Sequence, residues 1–426
     1  MTSTATDRGM AIARERDASD TLAPFRDQFH QPAARAGETV HYLCGHSLGL
    51  MPRRARELVE RELERWSDLG VEGHFDSDDG WFAYHERFAA PLASLLGAEP
   101  REVVAMNSLT VNLHLMLASF FRPEGVRCRI LIERDAFPSD RYAVQSKLAF
   151  HGLDPAADLV EIDATGGRLT AEALDAALAA ADDRVALVLL PGVQYLTGEA
   201  VDLSACTAVA HRHGSRIGFD LAHAIGNLAL DLRTADPDFA VWCSYKYLNG
   251  GPGAIGGCFI NRRHIDDPSL PRLEGWWGHD KARRFEPRTR FAAIDSAEAW
   301  QLSNPPILAM APLAASLELF TEAGIQRLRE KSVDLTAFLE DMVLGLCGDR
   351  IELLSPRDHA ARGAQLSFRL RVEAERVTGV ATALRASGII GDWRDPDVLR
   401  LAPVPLYNSY QDALAAAQAL ADALGA

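Results

Sequence analysis

Short apolar runs alternate with longer segments of helical periodicity through the middle of this 426-residue chain, and this alternation is what most constrains its fold. Such alternation is typical of a parallel β-sheet whose two faces are covered by helices. The runs are rich in valine, isoleucine and leucine, as expected of strands that are buried on both faces. Candidate strands are residues 102–106, 128–133, 185–190, 216–220, 239–243 and 254–260. The sequence therefore predicts an α/β protein.

The pattern changes after residues 304–306 (Asn-Pro-Pro), which predicts a second domain. Beyond them the chain is helical and rich in leucine, and short strands and a closing helix follow. We therefore expect a smaller α+β domain of about 120 residues, an ordinary size for a domain. The other expected elements are helices over 52–69, 111–120, 169–181, 203–213 and 307–347, strands over 351–354, 364–372 and 398–402, and a final helix over 410–424.

Charge and cysteine usage narrow the function classes. The chain has 44 lysine and arginine residues against 59 aspartate and glutamate residues, a net charge of −15, which disfavours binding to nucleic acid or to anionic membranes. The longest apolar stretches, 113–121 and 185–191, are shorter than the roughly 18 to 20 residues that span a bilayer. The first 20 residues mix acids and bases and lack the apolar core of a secretory signal. The six cysteines lie far apart without a CxxC pair, so we expect reduced thiols in a cytoplasmic protein.

Residues 251–256 match the dinucleotide-binding pattern GxGxxG, but their context argues against that function. In the dinucleotide fingerprint, the glycines follow a strand and begin a helix. Here they lead into residues 257–260 (Gly-Cys-Phe-Ile), which have the pattern of a strand. We therefore do not expect a nucleotide site.

An acid and a lysine stand at the ends of two successive candidate strands. Lys246 follows the strand 239–243 in an apolar neighbourhood, and a lysine that loses water becomes a nucleophilic amine able to form a Schiff base. Asp220 ends the preceding strand, where a carboxylate would hold a pyridine nitrogen protonated, and His223 follows nearby. Taken alone, Lys246 is more simply a lysine that extends to solvent, and His223 a packed core histidine. Together with Asp220, they predict the chemistry of pyridoxal 5'-phosphate (PLP).

Two further segments offer groups for a phosphate and for an aromatic ring. Residues 107–110 lie where a strand gives way to a helix, and a helix N-terminus presents free N–H groups and a positive dipole to anions. Thr110 would equally serve as part of a plain helix cap. After the next strand come Phe137, whose ring could cover one face of a cofactor, and then Ser139 and Asp140. Polar groups at several strand ends match the way in which doubly wound folds build ligand sites.

These residues lie in stretches that resemble kynureninase, a PLP enzyme of fold type I, the aspartate-aminotransferase-like fold. The resemblance runs from Tyr42 to Gln411. Its stretches are GHSLGL (45–50), NSLTVNLHLM (107–116), AFPSDRYA (136–143), LPGVQYLTG (190–198), GFDLAHAIGN (218–227), WCSYKYLNGGPG (242–253), GWWGH (275–279), SNPPI (303–307) and RLAPVPLYNS (400–409). One departure is His46, where the family's GNSLG stretch has asparagine.

The resemblance implies a division of the chain into three parts. A large PLP-binding domain with a mainly parallel seven-stranded sheet is expected over residues 61–306. A small α+β domain is expected over 307–426, and an N-terminal segment, 1–60, is expected to pack with the small domain. The shared active site of the family further implies a homodimer.

Carried over residue by residue, the resemblance assigns a role to each candidate site residue. Lys246 is expected to carry PLP and act as the catalytic base, Asp220 to face the pyridine nitrogen, and Tyr245 to relay a proton. The residues expected to bind the cofactor are Leu109, Thr110, Phe137, Ser139, Asp140, Asp220, His223, Tyr245, Lys246, Trp276 and Asn304. Arg400 is expected to bind the substrate α-carboxylate through the two-point fork of its guanidinium, and Ser47, His74 and Asn304 are expected to contact the substrate. Trp276 and Asn304 are expected to reach across the dimer interface.

The reaction that the resemblance implies is hydrolysis of the Cβ–Cγ bond of L-kynurenine or 3-hydroxy-L-kynurenine. The products are L-alanine and anthranilate or 3-hydroxyanthranilate, within tryptophan catabolism and NAD synthesis. A rival of the same fold is a cysteine desulfurase or selenocysteine lyase, which needs a catalytic cysteine such as Cys347 on a mobile loop. A cofactor-free binding protein is a second alternative, and the presence of both Lys246 and Asp220 argues against it.

Overall fold

The computed structural model describes residues 2–33, 39–76, 80–163, 168–287 and 290–425. The α-helices within these ranges are α1 (Thr2–Ser19), α2 (Arg54–Leu69), α3 (Ala89–Leu96), α4 (Leu109–Phe120), α5 (Pro138–Phe150), α6 (Pro155–Asp158), α7 (Ala171–Ala180), α8 (Leu203–Arg212), α9 (Leu232–Ala235), α10 (Arg262–Ile265), α11 (Ile307–Ala323), α12 (Ile325–Cys347), α13 (Ala374–Ala386) and α14 (Tyr410–Leu424). The strands are β1 (His41–Tyr42), β2 (Val103–Ala105), β3 (Arg129–Glu133), β4 (Leu159–Ile162), β5 (Val185–Pro191), β6 (Arg216–Asp220), β7 (Phe239–Cys243), β8 (Gly256–Ile260), β9 (Ile351–Leu353), β10 (Leu366–Leu370), β11 (Ile389–Ile390), β12 (Asp392–Arg394) and β13 (Val398–Leu401).

A seven-stranded sheet in the order β2-β8-β7-β6-β5-β3-β4 forms the larger body of the molecule. The five adjacent strands β4, β3, β5, β6 and β7 run parallel to one another. β8 runs antiparallel to both of its neighbours, β2 and β7. This arrangement confirms the predicted α/β class and the mainly parallel seven-stranded sheet. Because β3, β5, β6 and β7 are parallel, their carboxyl ends meet along one edge, where ligands of such folds bind.

Helices cover both faces of this sheet, and successive side chains of β5 pack alternately against the two helical layers. Leu189 packs in the cluster that contains side chains of α4 and α5, whereas its neighbours Val188 and Leu190 pack in the cluster with α7 and α8. Successive side chains of a strand point to opposite faces, so each strand contributes to two apolar layers. This two-sided burial explains the nearly continuous apolar runs in the sequence.

A second, antiparallel sheet in the order β12-β13-β10-β9 forms the C-terminal part of the molecule. Its apolar cluster includes side chains of α12, α13 and α14, and α1 packs against α14. β1 pairs in parallel with β11, which joins the N-terminal segment to the same part of the chain. These contacts are of the kind expected for an N-terminal segment that packs with a small domain, and the domain boundaries themselves stay a prediction.

The helical segment expected over 307–347 consists of two helices, α11 and α12, which bend by 82° relative to each other. Gly324 separates them with φ +76°, a left-handed conformation that glycine adopts at no steric cost. Met310 and Phe320 of α11 belong to the apolar cluster of the large sheet, whereas Leu335 of α12 belongs to that of the small one. The bend therefore carries the chain from one core to the other.

Two details bear on the function classes. Gly251 and Gly253 lie in a turn that leads into β8, so the GxGxxG match begins a strand, as the sequence predicts. Among the described residues, no single helix is long and apolar enough to cross a membrane, and the pair Ile307–Ala323 and Ile325–Arg350 meets that test only jointly, across its bend.

Candidate functional site

A cleft with an empty volume of about 670 Å³ lies at the carboxyl ends of β3, β5, β6 and β7. The structure brings nine of the predicted residues together in its lining: Leu109, Thr110, Phe137, Ser139, Asp140, Asp220, His223, Tyr245 and Lys246. They come from four separate segments, which the parallel sheet places side by side.

One end of the cleft is formed by the first turn of α4. Thr110 Oγ1 lies 2.8 Å from Ser139 Oγ, which joins the helix start to the start of α5. The backbone N–H groups in the first turn of a helix have no partner within the helix and favour an anion. Asn107, with φ +48°, accepts a 2.7 Å hydrogen bond from the Gly256 N–H, which holds the start of α4 against β8.

Two buried carboxyl groups, Asp140 and Asp220, also line the cleft. The Ala222 N–H donates to Asp220 Oδ1 over 2.7 Å, and Asp140 lies within hydrogen-bonding reach of Asp220. Burial raises the pKa of both groups, and the neighbouring Asp220 carboxylate raises the pKa of Asp140 further, so Asp140 holds a proton more readily than Asp220 does. Of the two, Asp220 is therefore the group that more readily faces a cationic atom as a carboxylate.

Lys246 lies between two aromatic rings. Its Nζ atom is 5.7 Å from the centroid of the Phe137 ring and 5.9 Å from that of Tyr245. Its charge lowers the pKa of Asp220, against the effect of burial, and burial together with this charge lowers the pKa of His223 well below its usual value. His223 is therefore a neutral imidazole, and its Nδ1 atom has no hydrogen-bond partner in the described part of the chain.

These groups fit PLP. The first turn of α4 offers N–H donors for a phosphate, Asp220 offers a carboxylate for a pyridine nitrogen, and Lys246 offers an amine between them. Two buried polar atoms, Asp140 Oδ1 and His223 Nδ1, lack hydrogen-bond partners among the described residues. Buried polar atoms are rarely left unpaired, so their position in the cleft lining points to a polar ligand.

Trp276, Asn304 and His74 do not line this cleft. His74 and Trp276 both contact Phe82, with ring centroids 5.3 and 6.5 Å from that ring, in a cluster that also includes Phe75 and Phe285. We call these five residues, His74, Phe75, Phe82, Trp276 and Phe285, the aromatic patch. Trp276 is 43% exposed, and Asn304 is exposed as well.

Ser47 is half-buried in the loop that follows β1, and it too lies outside the cleft lining. The same loop contacts the segment that carries Lys246, because the Gly49 N–H donates to the carbonyl of Tyr245 over 2.8 Å. The role of Ser47 toward a substrate stays a prediction.

Arg400 lies on β13 and is 1% exposed. Its Nε and Nη2 atoms donate to Asp392 Oδ1 over 2.9 and 2.6 Å, and its Nη1 atom donates to the Tyr195 carbonyl over 2.5 Å. Tyr195 lines the cleft, so Arg400 is held directly behind the cleft wall. The guanidinium is thus oriented by protein groups, and its role as the carboxylate clamp stays a prediction.

Sequence reasoning missed three residues of this region. Tyr195 stands in the matched stretch LPGVQYLTG, which carried no assigned role, and its ring centroid lies 5.4 Å from that of Phe137. Glu133 ends β3 in the cleft lining, and burial raises its pKa to about 7. Asp392 pairs directly with Arg400 across β12 and β13, a cross-strand charge pair that a predicted hairpin would have revealed.

The cysteines argue against a desulfurase. Cys347 ends α12 inside the apolar cluster of the small sheet, and burial raises its pKa to about 12. Such a thiol is a poor nucleophile, because the thiolate is the reactive form. All six cysteines are unpaired, in agreement with the expectation of free thiols.

Solved structures share this fold. A C-DES mutant with glycine covalently linked to its PLP cofactor matches with a TM-score of 0.77 and 19% identity, over 90% of this chain and 97% of its own. The cysteine desulfurase CsdA from Escherichia coli matches with a TM-score of 0.75 and 20% identity, over 95% of this chain and 98% of its own. These likenesses identify the fold as that of fold-type-I PLP enzymes.

Sequence comparisons narrow this to one family. Residues 328–420 match the family model of the kynureninase C-terminal domain. A kynureninase of Stenotrophomonas maltophilia is 50% identical over 398 residues, which cover 93% of this chain and 94% of that protein. A kynureninase of Xanthomonas campestris is 51% identical over 400 residues, which cover 93% of this chain and 93% of that protein. A kynureninase of Myxococcus xanthus is 50% identical over 404 residues, which cover 94% of each. With half of its residues identical over nearly its whole length, the chain belongs to the kynureninase family.

Proposed function

We propose that this cleft carries out the kynureninase reaction. As a member of that family, the chain is a PLP-dependent hydrolase of carbon–carbon bonds in ketonic substrates. It cleaves the Cβ–Cγ bond of L-kynurenine or 3-hydroxy-L-kynurenine, giving L-alanine and anthranilate or 3-hydroxyanthranilate, in tryptophan catabolism and NAD synthesis. The observation that carries the assignment of residues is the convergence of Lys246, Asp220 and the first turn of α4 in one cleft.

The roles of the residues follow from their places. When bound, PLP supplies an electron sink for negative charge that develops on the carbons next to the substrate amine. Lys246 would hold the cofactor through its side-chain amine, and that amine, when free, would take the proton from Cα. Asp220 would keep the pyridine nitrogen protonated, and Phe137 and His223, which line the same cleft, would help to hold the ring. Leu109, Thr110 and Ser139 bind the phosphate through N–H and hydroxyl groups.

Cleavage itself needs a proton at Cβ and a water at the γ-carbonyl. Burial raises the pKa of Tyr245, so this phenol stays protonated at neutral pH and is available to deliver a proton to Cβ. Water adds to the γ-carbonyl, the Cβ–Cγ bond breaks, and Cγ leaves as the carboxyl group of the aryl acid. Arg400 binds the α-carboxylate and so fixes the substrate relative to Lys246.

We also propose a homodimer in which the aromatic patch and Asn304 of one subunit complete the cleft of the other. Trp276 and Asn304 are exposed and lie outside the cleft of their own chain, as a contribution to a partner would require. The six unpaired cysteines support a cytoplasmic location, where thiols stay reduced.

The test is turnover with a matched pair of lysine variants. The purified protein, supplied with PLP, is incubated with kynurenine, 3-hydroxykynurenine or cysteine, and the fluorescent aryl product and sulfide are measured. Lys246→Ala should lower turnover by at least about a thousandfold, because a general base is lost along with the covalent attachment. Lys147→Ala, which removes a lysine from the surface of α5, should match the wild type.

Borohydride reduction followed by peptide mapping should place the cofactor on Lys246. A label on another lysine would remove Lys246 from its role. Sulfide release from cysteine without aryl product from either kynurenine would overturn the proposed reaction in favour of a desulfurase.

A further inference from the structure

A cysteine, a histidine and a carboxylate meet behind the cleft, and no role in the reaction is assigned to the first two. Cys44 and His46 lie in the loop that follows β1, and Asp392 begins β12. One ligand atom from each residue, a sulfur, a ring nitrogen and a carboxylate oxygen, lies within 4.8 Å of the other two. Two of these three types, thiolate and imidazole, are preferred ligands of zinc.

His46 supplies an independent indication of a ligand. Its side chain is fully buried, and neither of its ring nitrogens has a hydrogen-bond partner within the described ranges of the chain. A buried imidazole with two unpaired nitrogens is costly unless a ligand satisfies one of them. An imidazole nitrogen is also among the commonest metal ligands in proteins.

We propose that Cys44, His46 and Asp392 bind one divalent cation of the zinc type, with a water molecule as the fourth ligand. A tetrahedral zinc with bonds of about 2.0 to 2.3 Å separates one sulfur, one nitrogen and one oxygen ligand by about 3.3 to 3.5 Å, so the three side chains need to approach one another by at most about 1.5 Å. The metal displaces one proton from the Cys44 thiol, whose pKa burial raises to about 12. Cys44 is half-buried, so the cluster is not sealed from solvent on the side of this residue.

The charges around the cluster favour zinc over magnesium and calcium. Arg394 and Arg400 both bind Asp392, and Lys246 lies on the side of His46. A cation therefore enters a partly positive region in which only one carboxylate is available. Magnesium and calcium, which depend on several oxygen ligands, bind poorly in such surroundings, whereas zinc gains from the thiolate and the imidazole.

Metal binding at this site affects substrate binding through Asp392. This carboxylate accepts two hydrogen bonds from Arg400 at one oxygen, and a metal on the same carboxylate competes with them. Arg400 then loses the partner that orients its guanidinium. This consequence rests on the proposed function, in which Arg400 binds the substrate α-carboxylate, and it makes zinc an inhibitor that raises KM more than it lowers kcat.

The binding experiment uses the PLP-loaded protein after dialysis against a chelator. Zinc chloride is titrated in competition with a chromophoric chelator, and magnesium chloride is titrated in parallel. We expect one zinc ion per chain and no measurable magnesium binding. Cys44→Ala and His46→Asn should each weaken zinc binding by at least about tenfold, since even residues that only support metal ligands contribute that much.

The matched control is Cys128→Ala. Cys128 is also half-buried and also lies near a carboxylate, with its sulfur 3.9 Å from Asp158 Oδ1, but it has no place in the cluster. Equal zinc affinity of the wild type and Cys44→Ala would overturn the site, as would an equal loss of affinity in Cys128→Ala. If His46→Asn alone changes KM in zinc-free buffer and Cys44→Ala leaves zinc affinity intact, His46 serves the substrate and the metal site is wrong.

Kinetics separate this inference from the proposed function. Zinc should raise KM for kynurenine in the wild type by about tenfold at saturation, and it should not change KM in Cys44→Ala. Stoichiometric zinc binding with an unchanged KM would overturn the link to Arg400. Absence of kynurenine turnover in the zinc-free wild type would instead refute the proposed function and leave the binding result standing.

Discussion

At the scale of single residues, the site depends on buried charges that the protein itself orients. Arg400 is fixed by Asp392 and by the Tyr195 carbonyl, and Asp220 is fixed by the Ala222 N–H. A side chain whose geometry is set before the substrate arrives loses less entropy on binding than a free one. In the proposed function, Arg400 binds the substrate carboxylate directly, and Asp220 acts on the substrate through the cofactor.

Replacing Arg400 by lysine tests the carboxylate clamp. Lysine keeps the charge but loses the planar fork, and a lost charged hydrogen bond costs about 1.5 to 3 kcal/mol. Apparent substrate affinity should therefore fall roughly ten- to a hundredfold, while cofactor absorbance and attachment to Lys246 stay unchanged. The measurements are steady-state kinetics with both kynurenines and the visible spectrum of the enzyme.

The control for this variant is Arg369→Lys. Arg369 lies on the neighbouring strand β10, is half-buried, and pairs with Glu352 and Asp397 away from the cleft. Its kinetics should equal those of the wild type. Unaltered kinetics in Arg400→Lys would refute the clamp, and loss of bound PLP would show that Arg400 supports the cofactor instead.

At the scale of elements, the loop after β1 supports the segment that carries Lys246. The Gly49 N–H donates to the Tyr245 carbonyl, and a Cβ atom at position 49 would overlap the Lys246 carbonyl oxygen and lie 2.8 Å from the Cα of Asn249. Backbone atoms cannot move aside as a flexible side chain can. Gly49 therefore allows the close approach of two backbone segments on which the position of the lysine depends.

Gly49→Ala should push this loop away from the lysine segment. Inserting a methyl group into such a contact costs about 1 to 3 kcal/mol, and we expect a lower thermal midpoint together with faster loss of PLP on dialysis. The control is Gly379→Ala on α13, where a Cβ atom meets nothing within 4 Å and a helical alanine stabilises by about 0.5 to 1 kcal/mol. A Gly49→Ala protein that retains PLP as the wild type does would contradict this role.

A charge cluster secures the element next to the aromatic patch. Glu298 accepts from His85 over 2.8 Å and pairs with Lys281 over 2.9 Å, and these contacts lower its pKa from 4.5 to about 2. A carboxylate with a lowered pKa stabilises the fold above pH 4.5 and loses that contribution as the pH falls toward 2. The difference is worth at most about 3 kcal/mol.

Glu298→Gln should therefore be less stable than the wild type at pH 7 by up to about 3 kcal/mol, with the gap narrowing below about pH 5. Urea unfolding at several pH values from 7 down to about 2.5 measures this gap. Glu57→Gln, which changes an exposed acid on α2, should show no such trend. A stability gap for Glu298→Gln that is the same at every pH would contradict the assignment.

The sequence predicts an element well when burial leaves a clear apolar pattern, and poorly when tertiary packing decides its conformation. The buried strands β5, β6 and β7 were predicted within one residue, because two-sided burial leaves an unmistakable apolar run. β4 was missed, since it is an edge strand whose residues are only partly buried and include Glu161. The bend at Gly324 was missed because a lone glycine in a helical pattern is often tolerated, and the packing of two separate cores decides otherwise.

The site follows the same logic. Strand-end residues such as Asp220 and Lys246 could be grouped from the sequence, since parallel strands place their carboxyl ends together. Asp392 could not, because its partner Arg400 is set by the register of a hairpin that was not predicted. Trp276 and Asn304 came from family resemblance alone, and within one chain they lie apart from the cleft.

At the scale of the whole molecule, one chain exposes large apolar side chains that lie outside its own cleft. Phe75, Trp276 and Phe285 of the aromatic patch are 60, 43 and 64% exposed. A second apolar groove lies between the loop after β1 and α2 and includes Leu48 and Met51, both exposed. Contiguous exposed apolar surface of this kind is typical of a subunit interface. The expected species in sedimentation is therefore twice the 46.5 kDa mass of the chain.

Mixing inactive variants tests whether the subunits share their sites. If Asn304 serves the cleft of its partner, a dimer of Lys246→Ala with Asn304→Ala contains one intact site and one doubly altered site. Random pairing of the two variants then restores about one site in four, whereas the turnover of each variant alone stays low. The control pair, Lys246→Ala with Asp220→Ala, alters two residues of the same cleft, so no pairing yields an intact site. Co-expressed variants carrying different tags allow the mixed dimer to be purified and its turnover measured. Activity of the Lys246→Ala and Asn304→Ala mixture no higher than the mean of the two variants would show that each chain completes its own site.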